Sequence, residues 1–392
     1  MMKKEKVLLS VGLVCLSILF GASSAMAQMG VTDTEIKIGS ILDLSGPAAT
    51  AGVALRKGHK VLIDYVNSQG GVHGRKIKYI VEDDKYSPPQ TVAAAKKLVT
   101  RDEIFCMFNN TGTAHAESIS RFITKNKVPL LFPATAAYKV THPPKKYVFG
   151  IYSNYESEAK LHADYIANIV KNPKVFVQRF DTDFGKNTSL SLQEQLGHYG
   201  IKIVGEATHK YSTKDFSSHV LKAKQAGANV MPIYSLGPPT AKIAVECKKL
   251  NYQPLFILFS SSSVDEILDL AGSVLEDCVG TKINALNTNP HPEIQKYIKL
   301  MKAAGHQATQ VQQSGYFSAR TVIMALQQTG RDLTTDNLIK TLESWKDYDA
   351  VAFAPLTYGP NRRQGPNGAL WWTVKNKAWE YLVPGWHQYK EF

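Results

Sequence analysis

Cysteine is scarce, with four in 392 residues, one of them Cys15 near the start. The other three, Cys106, Cys247 and Cys278, allow at most one disulfide, and their strand and helix settings read as core positions. No Cys-x-x-Cys pair or His/Cys spacing suits a metal, so no metal site and no cofactor is expected. After Phe20 there is no apolar run long enough to span a bilayer. Missing too are a Gly-x-Gly-x-x-Gly after a strand, a P-loop, a His-Glu-x-x-His and a Gly-x-Ser-x-Gly, which removes the common signatures of nucleotide, zinc-protease and hydrolase chemistry. Basic residues are not clustered. Without the first 27 residues the chain holds 43 basic and 32 acidic residues, a net +11 spread along helix faces. Such a surface mildly favours anionic ligands and does not read as a nucleic-acid tract.

What is present begins with an address. Lys3, Lys4 and Lys6 precede an apolar run from Val7 to Phe20, and Ala25-Met26-Ala27 supplies the small residues of a cleavage site. Residues 1–27 therefore read as a secretory signal peptide cut before Gln28, and the chain as periplasmic. Lipid attachment at Cys15 is disfavoured by the branched Val14 before it. The remaining length suggests about two domains.

The organising stretch is 104–137. It reads as strand 104–108, turn Asn109-Asn110-Thr111-Gly112-Thr113, helix 114–125, strand 128–132 and a second small-residue turn, Pro133-Ala134-Thr135-Ala136-Ala137. Parallel strands bind ligands beyond their carboxyl ends, and helices starting there offer unpaired N–H groups to a carboxylate. The same residues also describe ordinary strand–helix turns in which Thr and Asn cap the next helix. Strand–helix alternation precedes this stretch, restarts at about 147 and runs to about 285. Three helical stretches and a hairpin-like pair, 370–375 and 379–383, follow. Two such runs imply two doubly wound lobes, and late helices returning to the first lobe would create several chain crossings and so a hinge. His115 and the serines 260–263 could be imagined as a hydrolase pair. No acid or nucleophile elbow accompanies them, and the serines read better as a helix-starting loop ahead of Asp265-Glu266. No catalytic residue is assigned.

Particular segments carry a resemblance. Ile36-Lys37-Ile38-Gly39, Leu44-Ser45-Gly46-Pro47, the run from Asn67 through Gly70-Gly71-Val72-His73-Gly74-Arg75 to Ile77, Val81-Glu82-Asp83-Asp84, Val128-Pro129-Leu130-Leu131-Phe132-Pro133-Ala134-Thr135 and Asp183-Phe184-Gly185-Lys186 resemble the leucine/isoleucine/valine-binding periplasmic proteins of ABC importers. The resemblance covers nearly the whole secreted chain. It implies an α/β architecture of the type I periplasmic binding protein fold, two doubly wound parallel-sheet lobes joined by a three-crossing hinge. The lobes would comprise 28–153 plus 287–364 and 154–286 plus 365–392. It further implies a ligand in the cleft, closure on binding, a monomer, and a permease with its ATPase at the inner membrane as partners.

For the site the resemblance implies Ser45 and Ala51 after the first strand, the hydroxyl of Thr113, the turn Ala134, Thr135 and Ala136, and the second-lobe residues Tyr155, Phe184, Tyr234 and Ser260. Two departures matter. Ala51 stands where relatives wall the pocket with an aromatic, which opens space. Ser260 falls near the place of the acid that pairs with a ligand ammonium, and burying an ammonium without a carboxylate is costly, several kcal/mol in general. With aromatic walls and hydroxyl donors retained, the expectation is a small organic acid, with an aromatic carboxylate favoured and resemblance to the aromatic-acid branch around 154–158 and 183–186. Uptake of a branched-chain or other amino acid, or a ligand-sensing receptor without transport, remain the alternatives.

Overall fold

The computed structural model describes residues 28–210, 212–263, 266–366 and 368–392. The signal-peptide reading of 1–27 and the reading of Asp265 lie outside the described residues.

The first sheet is wholly parallel, in the order β2-β1-β3-β4-β5, built from β1 (Glu35–Leu42), β2 (Lys76–Asp83), β3 (Cys106–Phe108), β4 (Leu130–Leu131) and β5 (Val148–Phe149). Its central strands are buried on both faces, which is why they read as apolar runs without alternation. Helices α1 (Ala49–Ser68), α2 (Pro88–Thr100), α3 (Thr113–Lys125) and the short α4 (Tyr138–Thr141) connect them. The strands expected at 128–132 and from about 147 pair over two residues each: Phe132 takes a left-handed φ of 57°, and Gly150 bridges Gln364 instead.

The second sheet runs β12-β11-β10-β9-β8-β6-β7. Strands β6 (Val175–Phe180), β7 (Ile203–His209), β8 (Val230–Tyr234), β9 (Leu255–Leu258) and β10 (Val279–Lys282) are parallel. The closing pair β11 (Ala369–Lys375) and β12 (Ala378–His387) adds on antiparallel, as the hairpin pattern of the sequence implies. Connecting helices are α5 (Tyr155–Ile169), α6 (Asp183–His198), α7 (Ser217–Gln225), α8 (Gly237–Lys249) and α9 (Glu266–Ala271). Asn154 caps α5 by accepting from Ser157 N at 2.7 Å.

The late helices α10 (Pro292–Ala303), α11 (Gln310–Thr329) and α12 (Thr335–Glu343) return to the first lobe. Helix α11 begins in a capping box between Thr309 and Gln312. It lies so close to α1 that a Cβ on Gly58 would sit 2.1 Å from the Gln312 carbonyl oxygen, and one on Gly315 2.4 Å from that of Leu55. The chain thus passes between lobes three times: between β5 and α5, between β10 and α10, and ahead of β11. The first and third passages are tied together. Gly150 bridges Gln364, and Ser153 Oγ both donates to the Gly368 carbonyl and accepts from its N–H. Cys106, Cys247 and Cys278 are all buried and free.

Candidate functional site

The site grows from the carboxyl ends of both sheets. On the first lobe, Asp43 ends β1 and its carboxylate accepts from the N–H groups of Ser45, Gly46 and Ala48 at 3.2, 2.5 and 2.6 Å. That fixes the turn into α1. Beyond β3, Thr111 Oγ1 accepts from Asp43 N, and Ala134 N donates to the Asn110 carbonyl at 2.9 Å, so neighbouring loops are laced together. Gly112 opens α3 at φ 92°, with the His115 ring against it. A Cβ there would lie 2.2 Å from His115 Nδ1, so only glycine fits. Thr113 and Thr135 hydroxyls share a hydrogen bond of 2.6 Å.

Between the lobes lies a cavity of about 240 Å³. Its first-lobe side is Leu55 of α1 with Ala134, Thr135 and Ala136 after β4, together with Gln310, Val311 and Ser314 from the start of α11. Tyr152 and Tyr155 come from the first passage, and Ile283 and Asn284 from the second. The second lobe supplies Ser260, Ser261 and Ser263 after β9, and Lys282 at the end of β10.

Five of the residues singled out from sequence therefore meet in one place: Ala134, Thr135, Ala136, Tyr155 and Ser260. The others stand apart. The hydroxyl of Ser45 donates to Asp83 at 2.6 Å, which fits its role as a turn residue. Ala51 is exposed on α1. Thr113 lies behind Thr135 and bonds to it. Phe184 packs its ring on Tyr155 at 4.8 Å and Phe259 at 5.3 Å, backing the cavity from behind. Tyr234 is fully buried, stacked on His162 at 5.9 Å, because its place in β8 turns it toward α5 rather than the cleft.

Sequence reasoning missed Lys282. A lysine within Val279–Ala285, an otherwise uncharged strand segment, was the available signal. Its side chain is 5% exposed, donates to the Ser263 carbonyl, and stands over the rings of Trp379 and Trp372 at 4.8 and 5.9 Å. Aromatic faces are favourable ground for a desolvated cation. Also missed was Glu158, 2% exposed on α5, whose carboxylate receives three donors. Ser260 N and Ser260 Oγ reach it at 2.6 and 2.8 Å, and Thr281 Oγ1 completes the set. Burial pushes its pKa up to about 7, although the three donors pull it down. Burial likewise pushes the hydroxyls of Tyr152 and Tyr155 up, so both stay neutral.

His115 has no hydrogen bond at either ring nitrogen and lies under Tyr86 in the first lobe, while the Ser260 hydroxyl serves Glu158. The imagined Ser/His pair is not formed. Among the described residues no group of three His, Cys, Asp or Glu side chains is placed to hold a metal. No helix among them is long and apolar enough to cross a membrane.

Comparison with known proteins agrees with this architecture. A sequence model of the periplasmic binding protein family matches residues 35–378. The Leu/Ile/Val-binding protein homolog 3 of Brucella melitensis is 25% identical over 342 residues, covering 87% of this chain and 91% of that protein. A branched-chain amino acid ABC transporter protein of Thermus thermophilus, solved with valine, superposes with a TM-score of 0.81 at 16% identity, over 90% of this chain and 96% of that one. The fatty acid ABC transporter substrate-binding protein of Thermomonospora curvata gives 0.78 at 19% identity, over 91% and 93%. These relatives are named as binding proteins or as ABC transporter proteins. The chain belongs to the periplasmic binding protein family.

Proposed function

We propose that this chain is the solute-binding subunit of an ABC importer, working outside the cytoplasmic membrane and capturing a small organic acid with an apolar, preferably aromatic, body. The observation that carries the reading is Lys282, the charged side chain in the described cavity wall, set among serine, threonine and amide groups and two tyrosine rings. A carboxylate gains from the cation and the hydroxyl donors, and an aromatic body gains from Tyr152 and Tyr155. The Thermomonospora relative, named for fatty acids, supports a ligand that has a carboxylate and no ammonium.

The two walls meet the ligand in turn. It docks on the first-lobe loops, and the second-lobe contacts form only when the hinge closes, so binding shifts the population toward the closed form. Moving from one to ninety-nine per cent closed takes about 5.5 kcal/mol of differential binding. Burying about 200 Å² of apolar ligand at about 25 cal/mol/Å² supplies a similar amount before costs. The permease would then meet the outer faces of both closed lobes.

One observation favours a second reading. Glu158 lies a single hydrogen bond behind Ser260, so negative charge stands close to the place where an amino acid would put its ammonium. The relatives named for leucine, isoleucine, valine and bound valine point the same way. A melting-temperature screen of the chain from Gln28 onward decides between them. Benzoate and straight-chain carboxylates should raise Tm more than leucine or valine. Stabilisation by leucine and valine alone would give the site to amino acids.

A further inference from the structure

The buried acid behind the cavity wall has a consequence for what the wall presents. Ser260 lines the cavity, yet its hydroxyl proton is committed to Glu158 Oε2 at 2.8 Å. A hydroxyl has one proton and two lone pairs, so with the carboxylate ionised Ser260 offers the cavity only an acceptor. When Glu158 is protonated on that oxygen, the carboxylic acid donates to Ser260 Oγ, and the serine proton is released to point into the cavity. The remaining oxygen, Oε1, still accepts from Ser260 N and Thr281 Oγ1, so both forms keep the cluster satisfied. We propose that Glu158, although outside the cavity wall, is the positioning residue that sets whether Ser260 donates to or accepts from the ligand. The cleft thereby prefers carboxylates when Glu158 is protonated and ammonium-bearing ligands when it is ionised. The proposal rests on the cavity being the binding site, not on which ligand class fills it.

The surroundings make Glu158 suited to this. From its own helix, Tyr155 and His162 lie one turn either side. Tyr234 of β8 and Thr281 of β10 face it, and Trp371 of β11 packs on His162 at 5.7 Å. His162 Nε2 meets Thr281 Oγ1 at 2.8 Å, and burial lowers its pKa to about 3, so it stays neutral. Lys282 leaves β10 from the face opposite Thr281, toward Ser263 and the two tryptophans. Thus no cation among these groups bonds to the carboxylate, and the half-titration of Glu158 falls near neutrality.

Calorimetric titration with benzoate and with leucine, from about pH 5.5 to about pH 8.5, tests this on either side of that transition. In the wild type, benzoate affinity should fall about tenfold across the range and leucine affinity rise by a similar factor, the worth of one hydrogen bond changing sign. Glu158→Gln, whose amide donates permanently to Ser260, should hold benzoate at its acid-side affinity with no pH slope. Ser260→Ala should flatten both profiles while Glu158 still titrates. Flat wild-type profiles, or a slope that survives in Glu158→Gln, would overturn the proposal. If leucine alone binds, and its slope vanishes in Ser260→Ala, the organic-acid reading fails and this one stands. A ligand-free arm covers the case in which neither probe binds. The Glu158 carboxyl, followed by carbon NMR, should titrate at higher pH in Ser260→Ala than in wild type, and an unmoved midpoint counts against the coupling.

Discussion

The two walls of the cleft are built on different physics. The first-lobe loops present backbone and hydroxyl groups that hydrogen bonds have already set: Asp43 shapes one turn, Asn110 holds the next, and Thr113 holds Thr135. Behind these loops the buried His59 lies between Tyr79 and Asn109, and burial lowers its pKa to about 4, so it is neutral there. The second-lobe wall hides two ionisable groups on opposite faces of β10, Glu158 toward α5 and Lys282 toward the tryptophans. One wall offers fixed shape and the other adjustable charge. A preset wall suits first contact, and a charged wall suits discrimination once water has been excluded.

Four changes would break or sharpen that contrast. The largest effect should come from behind the preset wall. Gly58→Ala drives a methyl into the Gln312 and Tyr316 backbone, where α1 and α11 touch, and should cost about 3 kcal/mol or more in urea unfolding. A loss well under about 1 kcal/mol would mean that the two helices yield, and that the wall is not rigid.

Next comes Glu158→Gln, read as stability against pH. The folded pKa of Glu158 is raised, so its contribution is present below the unfolded value of 4.5 and is lost as pH rises through about 7. The variant should therefore gain on the wild type between those values, by up to about 3 kcal/mol. A difference that stays constant with pH would show that the carboxyl titrates normally.

Lys282→Met keeps the apolar stem against Trp379 and removes the charge. Benzoate affinity should drop by about 2 kcal/mol in calorimetry, and leucine affinity less, because the same cation that attracts leucine's carboxylate repels its ammonium. Equal losses for both would deny Lys282 a part in discrimination. The smallest effect belongs to Thr113→Val. Because Thr113 acts through Thr135 rather than at the cavity, about 1 kcal/mol of affinity should be lost. A loss as large as that of Thr135→Val would place Thr113 in direct contact with the ligand.

Much of this was legible in the chain. The central strands of both sheets announce themselves as short apolar runs because they are buried on both faces, and the turns 109–113 and 133–137 as small polar residues at strand ends. The hairpin-like pair 370–375 and 379–383 was visible, though not its place at the edge of the second sheet. Site residues were legible where the backbone itself forms the wall, as at Ala134, Thr135 and Ala136. They were less so where direction decides. Tyr234 and Phe184 carry the right chemistry, but β8 turns one into the core and α6 holds the other behind Tyr155.

Local order along the chain determined the class of fold, the two-lobe arrangement and the first-lobe loops, since propensity, capping and apolar spacing act over a few residues. Tertiary structure alone decided that Glu158 stands under Ser260, 102 positions away, and that Lys282 stands beside Ser263 at a cleft closed by the start of α11. Those pairings join separate crossover units, and no pattern within one unit encodes the distance between them.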